Sequence, residues 1–203
     1  CLRVVGWARG VGGRGQTLQA PPHYLQAEPE KIAEWREKLK PDGRLLIGLN
    51  WQGNPKAAVD KGRSVPLAQL TPLLEQEGVR FICLQKNDGL EQIAALPQHL
   101  QNRIEQLGDG FDAGKDAFID SAAVMANLNI VITSDTAMAH LAGALGVPGW
   151  IMLKFMPDWR WLTERTDCPW YPAHRLFRQP AEGNWTDVAA QLTAALREET
   201  GMR

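Results

Sequence analysis

The sequence predicts a doubly wound α/β domain with a mostly parallel sheet of about six strands. Three observations lead there. Short, continuous apolar runs (RLLIGLN, VRFICL, NIVIT, GWIML) have strand length and the composition of strands buried on both faces. Single helical segments separate them, and no hairpin turn signal joins any neighbouring pair, so the connections read as right-handed βαβ crossovers.

The elements follow in order. Residues 1–27 are rich in Gly, Arg and Pro without helical period, an irregular arm ahead of a single domain over 28–203. Pro29, Ile32, Trp35 and Leu39 recur at helical spacing, and Pro41-Asp42-Gly43 closes a helix over 29–39. A strand over 44–50 leads through a long polar loop, 51–64, into a helix over 66–76 that Gly78 stops. The alternation continues with a strand at 79–84, a helix at 88–96 and a short strand at 103–108. It runs on through a helix at 116–128, a strand at 129–133, a helix at 135–145 and a strand at 149–153. A short Trp-rich helix near 158–163, a strand at 175–179 and a helix at 184–199 complete the chain.

Composition narrows the function classes. Of 203 residues, 44% are hydrophobic and 22% charged, which suits a globular fold. Lys and Arg number 22 against 23 Asp and Glu, a formal charge of −1. A non-specific nucleic-acid coat needs a basic surplus, so any bound anion must be held by a local site. Three widely spaced cysteines, Cys1, Cys83 and Cys168, form no CxxC pair and argue against a disulfide framework or zinc knuckle. The charge-free segment 137–153 is short of a membrane span, and no signal peptide is visible; the expected setting is cytoplasmic.

In this fold class ligands sit outside the carboxyl ends of the strands, so the loops there carry the candidates. In ITSDTAMAHLAGALGVP, 132–148, Ser134-Asp135-Thr136 supplies capping residues and small side chains from Ala137 onward open the helix. Free N–H groups and the helix dipole make that end an anion seat. Thr136, His140 and Gly143 share one helical face, while Met138, Leu141 and Leu145 take the core face. In the 51–64 loop Asn54-Pro55 sets a turn, and Arg63-Ser64 stands just before the next helix, where an arginine can fork onto a phosphate. The same loop also reads as a solvated connection. Gln85 and Lys86 follow the second strand, the amide suited to a base or sugar hydroxyl and the lysine to a phosphate, or the segment is a plain turn. Trp159, Trp161, Trp170 and Tyr171 crowd 155–180, either stacking on a ligand ring or packing an irregular loop, with Asp158 as a cap. Gly10, Gly12 and Gly15 satisfy G-x-G-x-x-G, but Pro21-Pro22 stands where its helix must run. A phosphate loop, HExxH, a D-x-D pair and GxSxG are all missing.

Taken in order, WQGNP…GRSVPL, VRFICLQK, ITSDTAMAHLAGALGVPGWIML, PDWRWL, CPWYP and RLFRQP resemble the carboxyl-terminal domain of bacterial glycosyltransferase-like proteins. These are related to the heptosyltransferases and more distantly to O-linked N-acetylglucosamine transferases, often fused behind tetratricopeptide repeats. The resemblance covers about 24–200. It implies the Rossmann-like half of a GT-B fold, holding a nucleotide-diphosphate sugar donor without a metal or other cofactor. It places Asp135, Thr136 and Ala137 at the donor's diphosphate and sugar, His140 one turn on, and Arg63 beside the diphosphate, with Asn54, Gln85 and Lys86 completing the candidate donor site. The chain departs from the pattern at Ala57, where a histidine is usual, and at Ala137, where glycine is common. The amino-terminal half, which binds acceptor and commonly supplies the general base, has no counterpart in these residues. Transfer by this chain alone is therefore not expected, and the catalytic residues are unassigned. Partners implied are an amino-terminal acceptor domain or a second copy of the chain. The alternative is a non-catalytic binding or assembly module on the same fold.

Overall fold

The computed structural model describes residues 3–4, 23–114 and 117–201. Two short strands, β1 (Arg3–Val4) and β2 (Leu25–Gln26), pair antiparallel. Helix α1 (Pro29–Leu39) starts with its proline in the first turn, where the missing N–H costs nothing, and ends at Lys40 in the left-handed region. Strand β3 (Leu45–Asn50) and, after the long loop, α2 (Thr71–Leu74) and β4 (Val79–Cys83) follow. Then come α3 (Glu91–Ala94), α4 (Gln98–Gln101), β5 (Ile104–Glu105), α5 (Ile119–Met125) and β6 (Ile130–Ser134). Helix α6 (Ala137–Leu145), β7 (Gly149–Leu153), β8 (His174–Arg178) and α7 (Trp185–Thr200) close the chain.

Six strands form one sheet in the order β5-β4-β3-β6-β7-β8, every pair parallel. The direction of winding reverses between β3 and β6, so the crevice of a doubly wound sheet opens where Asn50 and Ser134 end their strands. Alternation divides the core. Ile47, Leu49, Phe81 and Ile132 pack toward α2 and α7, with Leu74, Val188 and Leu192. Leu46, Ile82 and Val131 pack toward α1 and α5, with Trp35, Ala122 and Met125. Each such fully buried aliphatic side chain contributes about 1.5–3 kcal/mol. Gly48 sits mid-strand because an added Cβ would lie 2.6 Å from Leu84 Cδ1 and Leu128 Cδ1.

Five of the six sheet strands fall within a residue of expectation, whereas several helices are shorter. The segment expected as one helix over 66–76 is a 3-10 turn, Leu67–Leu70, running into α2, because Pro72 cannot donate to the turn before it. Pro97 likewise separates α3 from α4, which the 88–96 reading did not include. The helix expected over 116–128 spans Ile119–Met125, preceded by Phe118 at φ 70°. The strand expected at 103–108 pairs only through Ile104 and Glu105, being at the sheet edge. Near 158–163 there is a single 3-10 turn, Trp159–Trp161, capped by Asp158. The three glycines at 10, 12 and 15 lie outside the described residues.

Candidate functional site

A cleft of about 820 Å³ lies along the carboxyl ends of β3, β4, β6 and β7. All eight residues singled out in the sequence, Asn54, Arg63, Gln85, Lys86, Asp135, Thr136, Ala137 and His140, line it. Its walls carry Lys56, Arg63, Lys86, Lys154 and Arg160 against Asp88, Asp135 and Asp158, a local cationic excess on a chain of net charge −1.

The floor is a buried knot. Asn50 donates from Nδ2 to Gln85 Oε1 at 2.9 Å, and its Oδ1 accepts from Thr136 Oγ1 at 3.0 Å with Thr133 Oγ1 at 3.1 Å. Thr136 is the N-cap of α6: its backbone is extended and its hydroxyl accepts from the Met138 N–H. The cap thus fixes the start of α6 against β3 as well as against its own helix. Asp135 precedes the helix, which begins at Ala137 and not at 135 as the sequence suggested. Ala137 is exposed, so the first turn can be approached closely.

Gln85 and Lys86 differ from their sequence reading. Gln85 is only 5% exposed. Its Oε1 also accepts from the Trp51 and Gln52 N–H groups, and its Nε2 donates to the Gln52 and Asp88 carbonyls at 3.0 and 2.7 Å. With its hydrogen-bonding capacity engaged, it clamps the β3 and β4 loops together and leaves no group for a base or sugar. Lys86 donates from Nζ to the Phe111 carbonyl at 3.0 Å and to that of Asp112, which orders the segment before α5 and still leaves a cation at the cleft wall.

In the 51–66 loop, Asn54 Oδ1 accepts from the Lys56 N–H, closing the turn at Pro55. Arg63 donates from Nε and Nη2 to Asp60 Oδ1 at 3.2 and 3.1 Å, and Ser64 Oγ donates to Asp60 Oδ2 at 2.8 Å. Gly53 backs this triad: a Cβ there would be 2.5 Å from Asp60 Oδ1 and 2.6 Å from Arg63 Nη2. The guanidinium is held while its remaining N–H groups are left for the cleft.

On the far side, His140 stacks on Trp161 with ring centroids 5.4 Å apart, and its Nδ1 lies 3.2 Å from Tyr171 Oη. Burial lowers the His140 pKa from 6.5; Asp135 and Asp158 oppose that, and Arg160 adds to it. Trp161 and Cys168 are packing, while Trp159 is 71% exposed beside the cleft. Burial raises the thiols of Cys83, to about 11, and Cys168, so neither is poised as a nucleophile. Among the described residues no three His, Cys, Asp or Glu side chains group to hold a metal ion. No described helix is long and apolar enough to cross a membrane.

Asn50, Asp60 and Arg160 were not singled out as candidates in the sequence, and Tyr171 stood there only as one of four aromatic residues. The one available signal was a polar residue ending a buried apolar strand, at Asn50.

A parallel sheet wound 3-2-1-4-5-6 with the start of α6 at its switch point defines a doubly wound, Rossmann-like class of fold. The comparisons narrow this. Residues 67–150 match the model of glycosyltransferase family 9 (heptosyltransferase). Protein FlbA of Caulobacter vibrioides is 34% identical over 178 residues, covering 86% of this chain and 29% of that protein. Among solved structures, E. coli ADP-heptose lipopolysaccharide heptosyltransferase II superposes with a TM-score of 0.58 at 18% identity, over 86% of this chain and 54% of that one. Anabaena HepE in complex with UDP and glucose gives 0.52 at 16% identity, over 87% and 45%. The fold therefore matches part of the GT-B heptosyltransferases, and the chain spans about half the length of those two solved structures.

Proposed function

We propose that this chain is the donor-binding half of a metal-independent glycosyltransferase, holding a nucleotide-diphosphate sugar with its phosphates at the start of α6. The single observation that carries the reading is Thr136. It caps α6 from the floor of a cationic cleft at the switch point and leaves exposed Ala137 at the helix mouth. Negative oxygens there meet the positive end of the helix dipole, and Arg63, restrained by Asp60, supplies charged hydrogen bonds from the opposite wall. As the anomeric C–O bond breaks, these same groups stabilise the charge that grows on the leaving diphosphate.

Two features of similar proteins support the reading: one solved relative by fold is named for ADP-heptose and another holds UDP and glucose. The acceptor hydroxyl is deprotonated by a base on a separate acceptor-binding half. A helix N-terminus offers up to ~2 kcal/mol and a charged hydrogen bond ~1.5–3 kcal/mol, so the isolated half binds at about micromolar to millimolar strength. Calorimetric titration with ADP, UDP, GDP and CDP, with chelator present, tests this. One nucleoside diphosphate binds, and the T136V/R63A double variant abolishes its binding; undiminished binding by that variant removes the site. A module without transfer activity keeps the same binding but gives no transfer once the acceptor half is supplied.

A further inference from the structure

Tyr171 reaches α6 through two glycine notches. Its ring lies over Gly143, where a Cβ would be 2.2 Å from Tyr171 Cδ1, and it packs against His174 with ring centroids 5.0 Å apart. His174 in turn sits over Gly149, where a Cβ would be 2.5 Å from its Cε1. Its Nε2 lies 2.9 Å from the Ala139 carbonyl, a contact in which the nitrogen must donate. The segment 171–174 is thereby fixed against α6 at Gly143 and β7 at Gly149 by interlocking shapes. The Tyr171 hydroxyl is then delivered to His140 Nδ1 at 3.2 Å, with the Tyr24 phenol as its other neighbour. His140 lies at the boundary between the phosphate cleft and an aromatic bay of about 300 Å³ that Tyr171 and Tyr24 line. With Nδ1 engaged by Tyr171, Nε2 is the ring nitrogen left for a ligand.

Resting on the donor-binding reading above, we propose that Tyr171 is a positioning residue that holds His140 as the neutral Nε2–H tautomer, making it a hydrogen-bond donor to the donor's diphosphate. The chemistry fixes the polarity of the chain. A bare Nε2 would turn a lone pair toward phosphate oxygens, whereas an Nε2–H donates to them, and the neutral ring then needs a donor at Nδ1. The Tyr171 O–H supplies it, and the Tyr24 O–H can donate to the Tyr171 oxygen. Stacking on Trp161 keeps the ring plane from turning away. Burial keeps the phenol protonated and favours the uncharged imidazole, in the presence of Asp135, Asp158 and Arg160 around the ring.

The test has two readouts. Long-range ¹H–¹⁵N correlation spectra of the free chain at pH 7.5 report the tautomer directly: His140 shows protonated Nε2 and bare Nδ1, and Y171F shifts it to a mixture. In titrations with ADP and UDP, Y171F weakens the bound nucleotide about fivefold to tenfold, and adds less than twofold in an H140A background. An Nδ1–H tautomer in the unsubstituted chain overturns the proposal. So does an equal loss from Y171F with and without His140, which marks Tyr171 as packing alone. If neither nucleotide binds, the donor reading is at fault, and the tautomer spectrum still decides whether Tyr171 orients His140.

Discussion

On one wall of the cleft, Asn50, Gln85, Thr133 and Thr136 sit at strand ends, mostly buried, their polar groups turned on one another or on the backbone. On the other, the 51–66 loop spaces its polar groups along an exposed chain and restrains a single cation, Arg63, through Asp60 and Ser64. The first wall uses hydrogen bonds to fix where α6 begins; the second keeps charge available to whatever enters. A ligand site on this fold therefore separates positioning from attraction, and substitutions in the two walls should fail in different ways.

The largest effect belongs to the strand-end wall. N50L keeps the side-chain size but removes three buried hydrogen bonds, one to Gln85 Oε1 and two from the Thr133 and Thr136 hydroxyls, costing about 2–4 kcal/mol of stability. Thermal unfolding is expected to drop by roughly 2–4 °C per kcal/mol for a chain of this size. A midpoint unchanged from the parent would mean the knot does not hold the sheet edge together. G53A acts on the loop wall: its Cβ displaces Asp60 and Arg63, at about 1–3 kcal/mol for overpacking. Its stronger signature is about a tenfold weaker nucleoside diphosphate titration, since a charged hydrogen bond of ~1.5–3 kcal/mol is misdirected. Nucleotide binding that survives G53A would remove Arg63 from the account.

Acid sharpens the contrast further. His140 and His174 both have folded pKa values below 6.5, because burial disfavours their charged forms. The unfolded chain thus binds more protons just below that pH. The stability they contribute is complete above pH 6.5 and is lost progressively as the pH falls below it. Melting curves between pH 7.5 and 5 are expected to fall in midpoint, less steeply for H140Q; parallel profiles would show that His140 is not desolvated. K56A, at an exposed loop position, stands last, with a stability change within about 0.5 kcal/mol. A larger change would show that the loop depends on more than the Asp60 triad.

The sheet was legible because strands buried on both faces must be apolar throughout, as 45–49 and 149–153 are. The mouth of α6 was legible because a cap followed by small residues has few other uses. Helix lengths were not, since Pro72 and Pro97 break turns that apolar spacing alone continues. All eight candidate residues line one cleft, yet the engagement of Gln85 was not legible, because its partners at 52 and 88 come from two separate loops. Lys86 is tied to carbonyls 25 and 26 residues away. Tyr171 was seen only as one aromatic among several, for its grip on His140 spans 31 residues and depends on the space left by Gly143.

A crystal of this chain grown with ADP or UDP examines the central claim most directly. The account places the diphosphate against the backbone amides of 136 and 137, within reach of the Arg63 guanidinium and His140. Density for the nucleotide elsewhere, with the mouth of α6 occupied only by water, would contradict it.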